Sequence, residues 1–139
     1  MKSQRFGIEI EMTGLTRRSA ALIIAKHFDT GFRHERGVYD TYSVCDQDGR
    51  KWKIVRDASI TPQCGNRFDY DPDYKVEVVS PICHYEDIET IQSIVRELRR
   101  NGHAKVKLWN SHSCGCFKTH CQIIKKYCKY YVFKRGSYL

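Results

Sequence analysis

Residues 5–12, "RFGIEIEM", decide the fold, because they can be read in only one period. Phe6, Ile8, Ile10 and Met12 alternate with Gly7, Glu9 and Glu11, the two-residue repeat of a strand with one apolar face. Both carboxylates therefore share the other face. Outward from this strand, Gly14 breaks the pattern and Thr16 can cap a helix over "RRSAALIIAKHF", with Ala21, Leu22, Ala25 and Phe28 as its apolar stripe. That helix is expected to pack on the sheet. A hairpin follows, Val38 to Val44 and Trp52 to Arg56, around a turn containing Asp48-Gly49. The stretch 61–74, "TPQCGNRFDYDPDY", is rich in turn formers and reads as a surface loop. A third strand, "YKVEVVSP", is ended by Pro81. The helix "YEDIETIQSIVRELRR" gathers acids in its first turn and bases in its last, shows Ile88, Ile91, Val95 and Leu98 on one face, and stops at Asn101-Gly102.

At 139 residues with 41% hydrophobic content, the chain has the size and composition of one globular domain. No apolar run approaches the roughly 20 residues that span a bilayer, and the polar "MKSQR" leads into the strand without an apolar signal segment. Cytoplasmic location is the resulting expectation. Seven cysteines, an odd number without regular spacing, favour reduced thiols. The formal charge of +8 is unevenly placed: residues 1–102 balance 16 Lys and Arg with 16 Asp and Glu, whereas 103–139 hold eight cations and no acid. The tail alone makes the protein basic.

Four acids stand where strands favour Val or Thr: Glu9, Glu11, Asp57 at the end of "WKIVRD", and Glu77 between valines. A single such glutamate is most simply an outward residue of a half-solvated sheet. Four, in strands with alternating aliphatic neighbours, imply a partly covered cluster whose like charges raise one another's pKa unless a cation neutralises them. Oxygen-only donors suit hard cations, Mg²⁺ or Mn²⁺.

The ordered series "FGIEIE", "WKIVRDASI", "VEVVSP" and "DIETIQSIVRELRRNGHAKV" resembles the amidoligase family, relatives of glutamine synthetase and glutamate–cysteine ligase, over residues 5 to about 115. The resemblance implies an α+β fold: a curved, mixed, mainly antiparallel sheet with two helices, part of a glutamine-synthetase-like catalytic domain that binds divalent metal and ATP on the sheet's inner face. It implies ATP-dependent joining of a small-molecule or peptide carboxylate to an amine. Glu9, Glu11 and Glu77 would then be metal ligands, with Asp57 and Ser59 in the substrate or nucleotide part of the cleft. A carboxylate is a poor electrophile, so the chemistry proceeds by phosphorylation to an acyl phosphate and attack by the amine. It needs positioning and charge neutralisation rather than a side-chain nucleophile.

The family continues with a strand carrying a His-x-His pattern and then a longer basic part. Here "NSHSCG" (110–115) approaches that strand, but no His-x-His follows. The expected organisation is therefore an amidoligase-like part, 1–115, and a basic, cysteine-containing tail, 116–139. The codons possible for Cys116 to Gly136, read one base later, permit a stop-free amphipathic continuation with Leu, Ile, Val, Ile and Met at helical spacing, which is the expectation for a frameshift. An inactive metal-binding fragment, or a basic Cys/His-rich nucleic-acid-binding module resting on the tail alone, is the alternative to a working ligase. Taken at face value, His112, Cys114, Cys116, His120 and Cys121 cluster as zinc ligands can, although the spacing fits paired knuckles poorly. "IIKKYCKYYVFKR" mixes aromatics with cations as single-strand nucleic-acid binders do. Solvated lysines are the preferred reading, so a nucleic-acid partner is not expected.

Overall fold

The computed structural model describes residues 5–61, 70–102, 104–111 and 133–135. Among the described residues seven strands form one sheet in the order β2-β3-β4-β5-β1-β6-β7: β1 (Gly7–Thr13), β2 (Phe32–Glu35), β3 (Thr41–Cys45), β4 (Lys51–Arg56), β5 (Val76–Val79), β6 (Lys105–Ser111) and β7 (Phe133–Arg135). All neighbours are antiparallel except β6 and β7, which run parallel. The architecture is thus α+β, with an open, mainly antiparallel sheet and two helices, α1 (Arg17–Phe28) and α2 (Ile88–Gly102). Strand β1 lies between β5 and β6 although both follow it by more than sixty residues, so closing the centre of the sheet requires long-range pairing.

The alternation in β1 sorts the molecule into two sides. Ile8, Ile10 and Met12 are at most 1% exposed and join Val76 and Val78 of β5, Trp52 and Ile54 of β4 and Val44 of β3 in a core closed by both helices. Helix α1 begins as its cap predicts: the Thr16 hydroxyl accepts a hydrogen bond from the Ser19 amide at 3.2 Å. It ends on Asp29, whose left-handed conformation (φ 54°) lets its amide return to the last turn. Removing the cap with Thr16→Ala is expected to cost about 1 kcal/mol in denaturant unfolding. An effect below about 0.3 kcal/mol would show that the tertiary contacts alone set where α1 starts.

Packing corrects the expected stripe of α1. Leu22 is 53% exposed, and Ile24 takes the buried position together with Ala20, Ala21, Ala25 and Phe28. Two apolar neighbours, Ile23 and Ile24, had left the phase of the stripe open, and contact with β3 and β4 fixed it. In α2 the expected face is buried as Ile88, Ile91, Val95 and Leu98, widened by Ile94. Its first acids sit in a short 3-10 turn, Tyr85–Asp87, rather than in the α-helix.

The hairpin is shorter than expected. Strand β3 starts at Thr41, and Val38, expected inside it, is 89% exposed in the preceding turn. That turn connects to β2, an edge strand the pattern did not reveal: "FRHE" carries three charged or titratable residues in four, a composition typical of protected edges. The turn at Asp48-Gly49 is present, with Gly49 at φ 78°. Asp46, buried at its start, accepts from the amides of Asp48 and Arg50, from Arg50 Nε and from Trp52 Nε1, while the Arg50 guanidinium makes two 2.9 Å bonds to Asp87. This network ties the β3–β4 turn to the start of α2. The 61–74 loop ends in a 3-10 turn, Pro72–Tyr74, capped by Asp71. The two described cysteines, Cys45 and Cys83, are free, and burial raises the Cys83 thiol to about 11.

Candidate functional site

The side of the sheet opposite the helices carries the acids. Strand register places Glu11 directly across from Glu77 on β5, and Glu77 directly across from Val55 on β4, so that Asp57, two residues beyond Val55, reaches the same face. One carboxylate oxygen from each of Glu11, Asp57 and Glu77 lies within 4.8 Å of the other two. All three residues are half-buried. Glu9 is one step further along β1, opposite Val79. It stands outside the set of three but acts on it through its charge.

Electrostatics register the crowding at Glu77, whose carboxyl is pushed up to about 7. Burial is the leading cause, followed by the charges of Glu9, Asp57 and Glu11 and a hydrogen bond with Asp57. At neutral pH the cluster therefore retains part of a proton. Only a cation in the cluster would allow all its carboxylates to ionise without mutual repulsion.

Ser59 sits beside the cluster and is exposed; its amide and hydroxyl both donate to Asp57 Oδ1, at 2.8 and 2.6 Å. The Asp57–Ile60 turn, with the Ile60 amide on the Asp57 carbonyl at 3.3 Å, fixes that geometry. Ser59 thus orients Asp57. Asp57, expected in the substrate or nucleotide part of the cleft, is an immediate neighbour of Glu11 and Glu77. The Asp-x-Ser spacing carried this signal, since a serine two residues after an aspartate commonly bonds back to its side chain.

The donor chemistry fits a hard cation. Three carboxylates, with no nitrogen or sulfur among them, suit Mg²⁺ or Mn²⁺. Ligand oxygens around octahedral Mg²⁺ lie about 3–4 Å apart, so small side-chain rotations would close the set on an ion. Half-burial leaves room for water or substrate oxygens at the remaining positions.

Sequence reasoning missed a buried cation at the same end of the sheet. Arg17, at the first turn of α1, has a side chain only 9% exposed, bonds Asp40 through Nη2 and approaches Asp73 at 3.7 Å. Its Nε and Nη1 are buried without partners. His34 also bonds Asp40 and stacks on Tyr42, with ring centroids 4.3 Å apart. An arginine opening a helix reads as solvated from sequence, and only the closure of the β2–β3 turn and the segment before β5 over it buries it.

The His112, Cys114, Cys116, His120 and Cys121 cluster and the division at 115/116 lie outside the described residues. Among the described residues no helix is long and apolar enough to cross a membrane. No curated protein and no solved structure gives a significant match to the chain. A family model described as "Putative amidoligase enzyme" matches residues 2–122. That match covers β1, β4, β5, the Asp57 turn and both helices, and by it this chain belongs to the amidoligase family.

Proposed function

We propose that this chain is an ATP- and Mg²⁺-dependent carboxylate–amine ligase, with Mn²⁺ able to replace Mg²⁺, built on part of a glutamine-synthetase-like catalytic domain. One observation carries the reading: carboxylates from three different strands or strand ends, Glu11, Glu77 and Asp57, converge within 4.8 Å in a chain of this family. Glu11, Glu77 and Asp57 would hold the metal, and Glu9 would add charge from the next register position. When bound, the ion supplies charge neutralisation for phosphoryl transfer from ATP to the carboxylate substrate.

The remaining work falls to positioning. Ser59 holds one Asp57 oxygen, which fixes the carboxylate's rotamer before an ion arrives. Ser59→Ala is accordingly expected to weaken Mg²⁺ binding about tenfold while changing metal-free stability little, since Ser59 is exposed. Titration of thermal stability with Mg²⁺ reads both, and an unchanged midpoint would remove Ser59 from the site.

The absent His-x-His pattern supports a second reading, in which the chain binds metal without turnover. ATP hydrolysis with Mg²⁺ and mixed amine and carboxylate substrates, alongside Glu77→Gln, separates the two. Turnover in the parent and none in the variant supports a ligase. Mg²⁺ stabilisation without turnover supports the metal-binding fragment, and absence of both rejects the metal site.

A further inference from the structure

The strand register that gathers the acids also arranges cations on the same face. One row of directly paired residues runs across it as Arg33 (β2), Ser43 (β3), Lys53 (β4), Val79 (β5) and Glu9 (β1). The adjacent row holds Val55, Glu77 and Glu11. Arg33 and Lys53 are both exposed, with Ser43 between them buried at 5% and turned away to Glu35, to which its hydroxyl donates at 2.9 Å. Glu35 is already committed: Lys51 bonds it at 2.9 Å, and these two hydrogen bonds hold its carboxyl below the usual range. Among the described residues the side chains of Arg33 and Lys53 make no ion pair or hydrogen bond, and Lys53 acts on Glu35 through its charge alone. The face is therefore polarised, with an excess of positive charge on β2–β4, where Arg33, Lys51 and Lys53 outnumber Glu35, and crowded negative charge on β5–β1.

A ligand complementary to this face has a cation at one end and several anionic groups at the other, which is the charge distribution of a metal–polyphosphate complex. Lys53 lies one strand and one face-step from Glu77, a Cα separation of roughly 8 Å, and Arg33 lies two strands further out. A triphosphate chain held by its metal at Glu11, Asp57 and Glu77 would extend to Lys53 and then to Arg33. A guanidinium can take two phosphate oxygens at once, and an ammonium acts as a point charge.

We infer that Lys53 and Arg33 form the phosphate-binding arm of the site, holding the nucleotide's polyphosphate beside the carboxylate cluster. The inference rests on the nucleotide-dependent reading above and adds to it the residues and the direction of the bound chain. It separates metal recognition, on β1, β4 and β5, from phosphate recognition, on β2 and β4.

The test is calorimetric binding of ATP in excess Mg²⁺, and Mg²⁺ titration alone followed by thermal stability, on the parent chain, Lys53→Met, Arg33→Gln and the double variant. Lys26→Met, exposed on the helix side of the sheet, serves as control. Each single variant is expected to bind Mg·ATP about tenfold more weakly and the double variant up to about 100-fold, with a shallower salt dependence. The Mg²⁺-only midpoint should stay within about twofold for all of them. If the parent binds Mg·ATP and the variants bind it equally well, the phosphates lie elsewhere and the inference fails while the proposed function stands. If the parent binds Mg²⁺ but no ATP, both fail. Equal weakening by Lys26→Met would also overturn the inference, because a general loss of positive charge would then explain the result.

Discussion

If the chain is the proposed ligase, Glu77→Gln is expected to abolish any rise in melting temperature with Mg²⁺ and to lower ligation by about 100-fold or more, while making the metal-free protein more stable at neutral pH. The two effects have opposite signs for one reason. In the folded, metal-free chain the Glu77 carboxyl titrates at about 7, against an ordinary value of 4.5. Between those values the folded state binds more protons than the unfolded one, so stability falls as pH rises from about 4.5 through about 7 and levels off above it. A shift of that size corresponds to roughly 3 kcal/mol for a fully desolvated group, and screening at this half-buried site leaves about 1–2 kcal/mol. Thermal unfolding in EDTA across pH 4.5–8 isolates this as the difference between parent and variant. Parallel curves would show that the carboxylates do not repel one another. A bound divalent ion reverses the sign, because it favours the ionised cluster, and so Mg²⁺ should stabilise the parent more at pH 8 than at pH 5.5.

Trp52→Ala should have the largest effect on stability, a loss of about 3–5 kcal/mol, which is a large share of the 5–15 kcal/mol typical of a domain. Trp52 is fully buried, its ring is 5.5 Å from that of Phe28, and its indole N–H donates to Asp46 Oδ2 at 3.2 Å. Alanine would leave a cavity between β4 and α1 and also remove one of the donors that satisfy a buried carboxylate. Trp52→Phe divides the two contributions: it keeps most of the ring volume and loses the hydrogen bond, at an expected cost of about 1–2 kcal/mol. Urea unfolding measures both. A loss under about 1 kcal/mol for the alanine variant would mean that the helix layer does not depend on this contact.

How far the site was legible from the sequence differs from residue to residue. Glu9, Glu11 and Glu77 were visible because a charged residue in an aliphatic strand breaks a simple rule, and the family's motif order supported them. Asp57 was visible as one of the four strand acids, but its distance from Glu11 was not, since that depends on how β4, β5 and β1 are ordered. Leu22 failed as a core residue for a related reason. Local periodicity gives an apolar stripe, and contact with the sheet chooses its phase. Strand β2 and the arginine beneath it, Arg17, carried no apolar signal, so neither could be found before the β2–β3 turn was seen to close over the end of the sheet.

By itself, then, the sequence determined the local elements and the chemistry they bring: a strand with acids on one face, two helices with marked ends, an oxygen-only donor set and a charge imbalance confined to the tail. These depend on interactions within a few residues, where side-chain period and capping dominate. The tertiary structure decided which residues meet. Pairing β1 with β5 and β5 with β4 joins segments tens of residues apart, and a shift of one residue in either register would turn the carboxylates to the helix side. Burial of Ile8, Ile10 and Met12 under α1 and α2 excludes that shift, so the hydrophobic side of "RFGIEIEM" holds its acidic side in place.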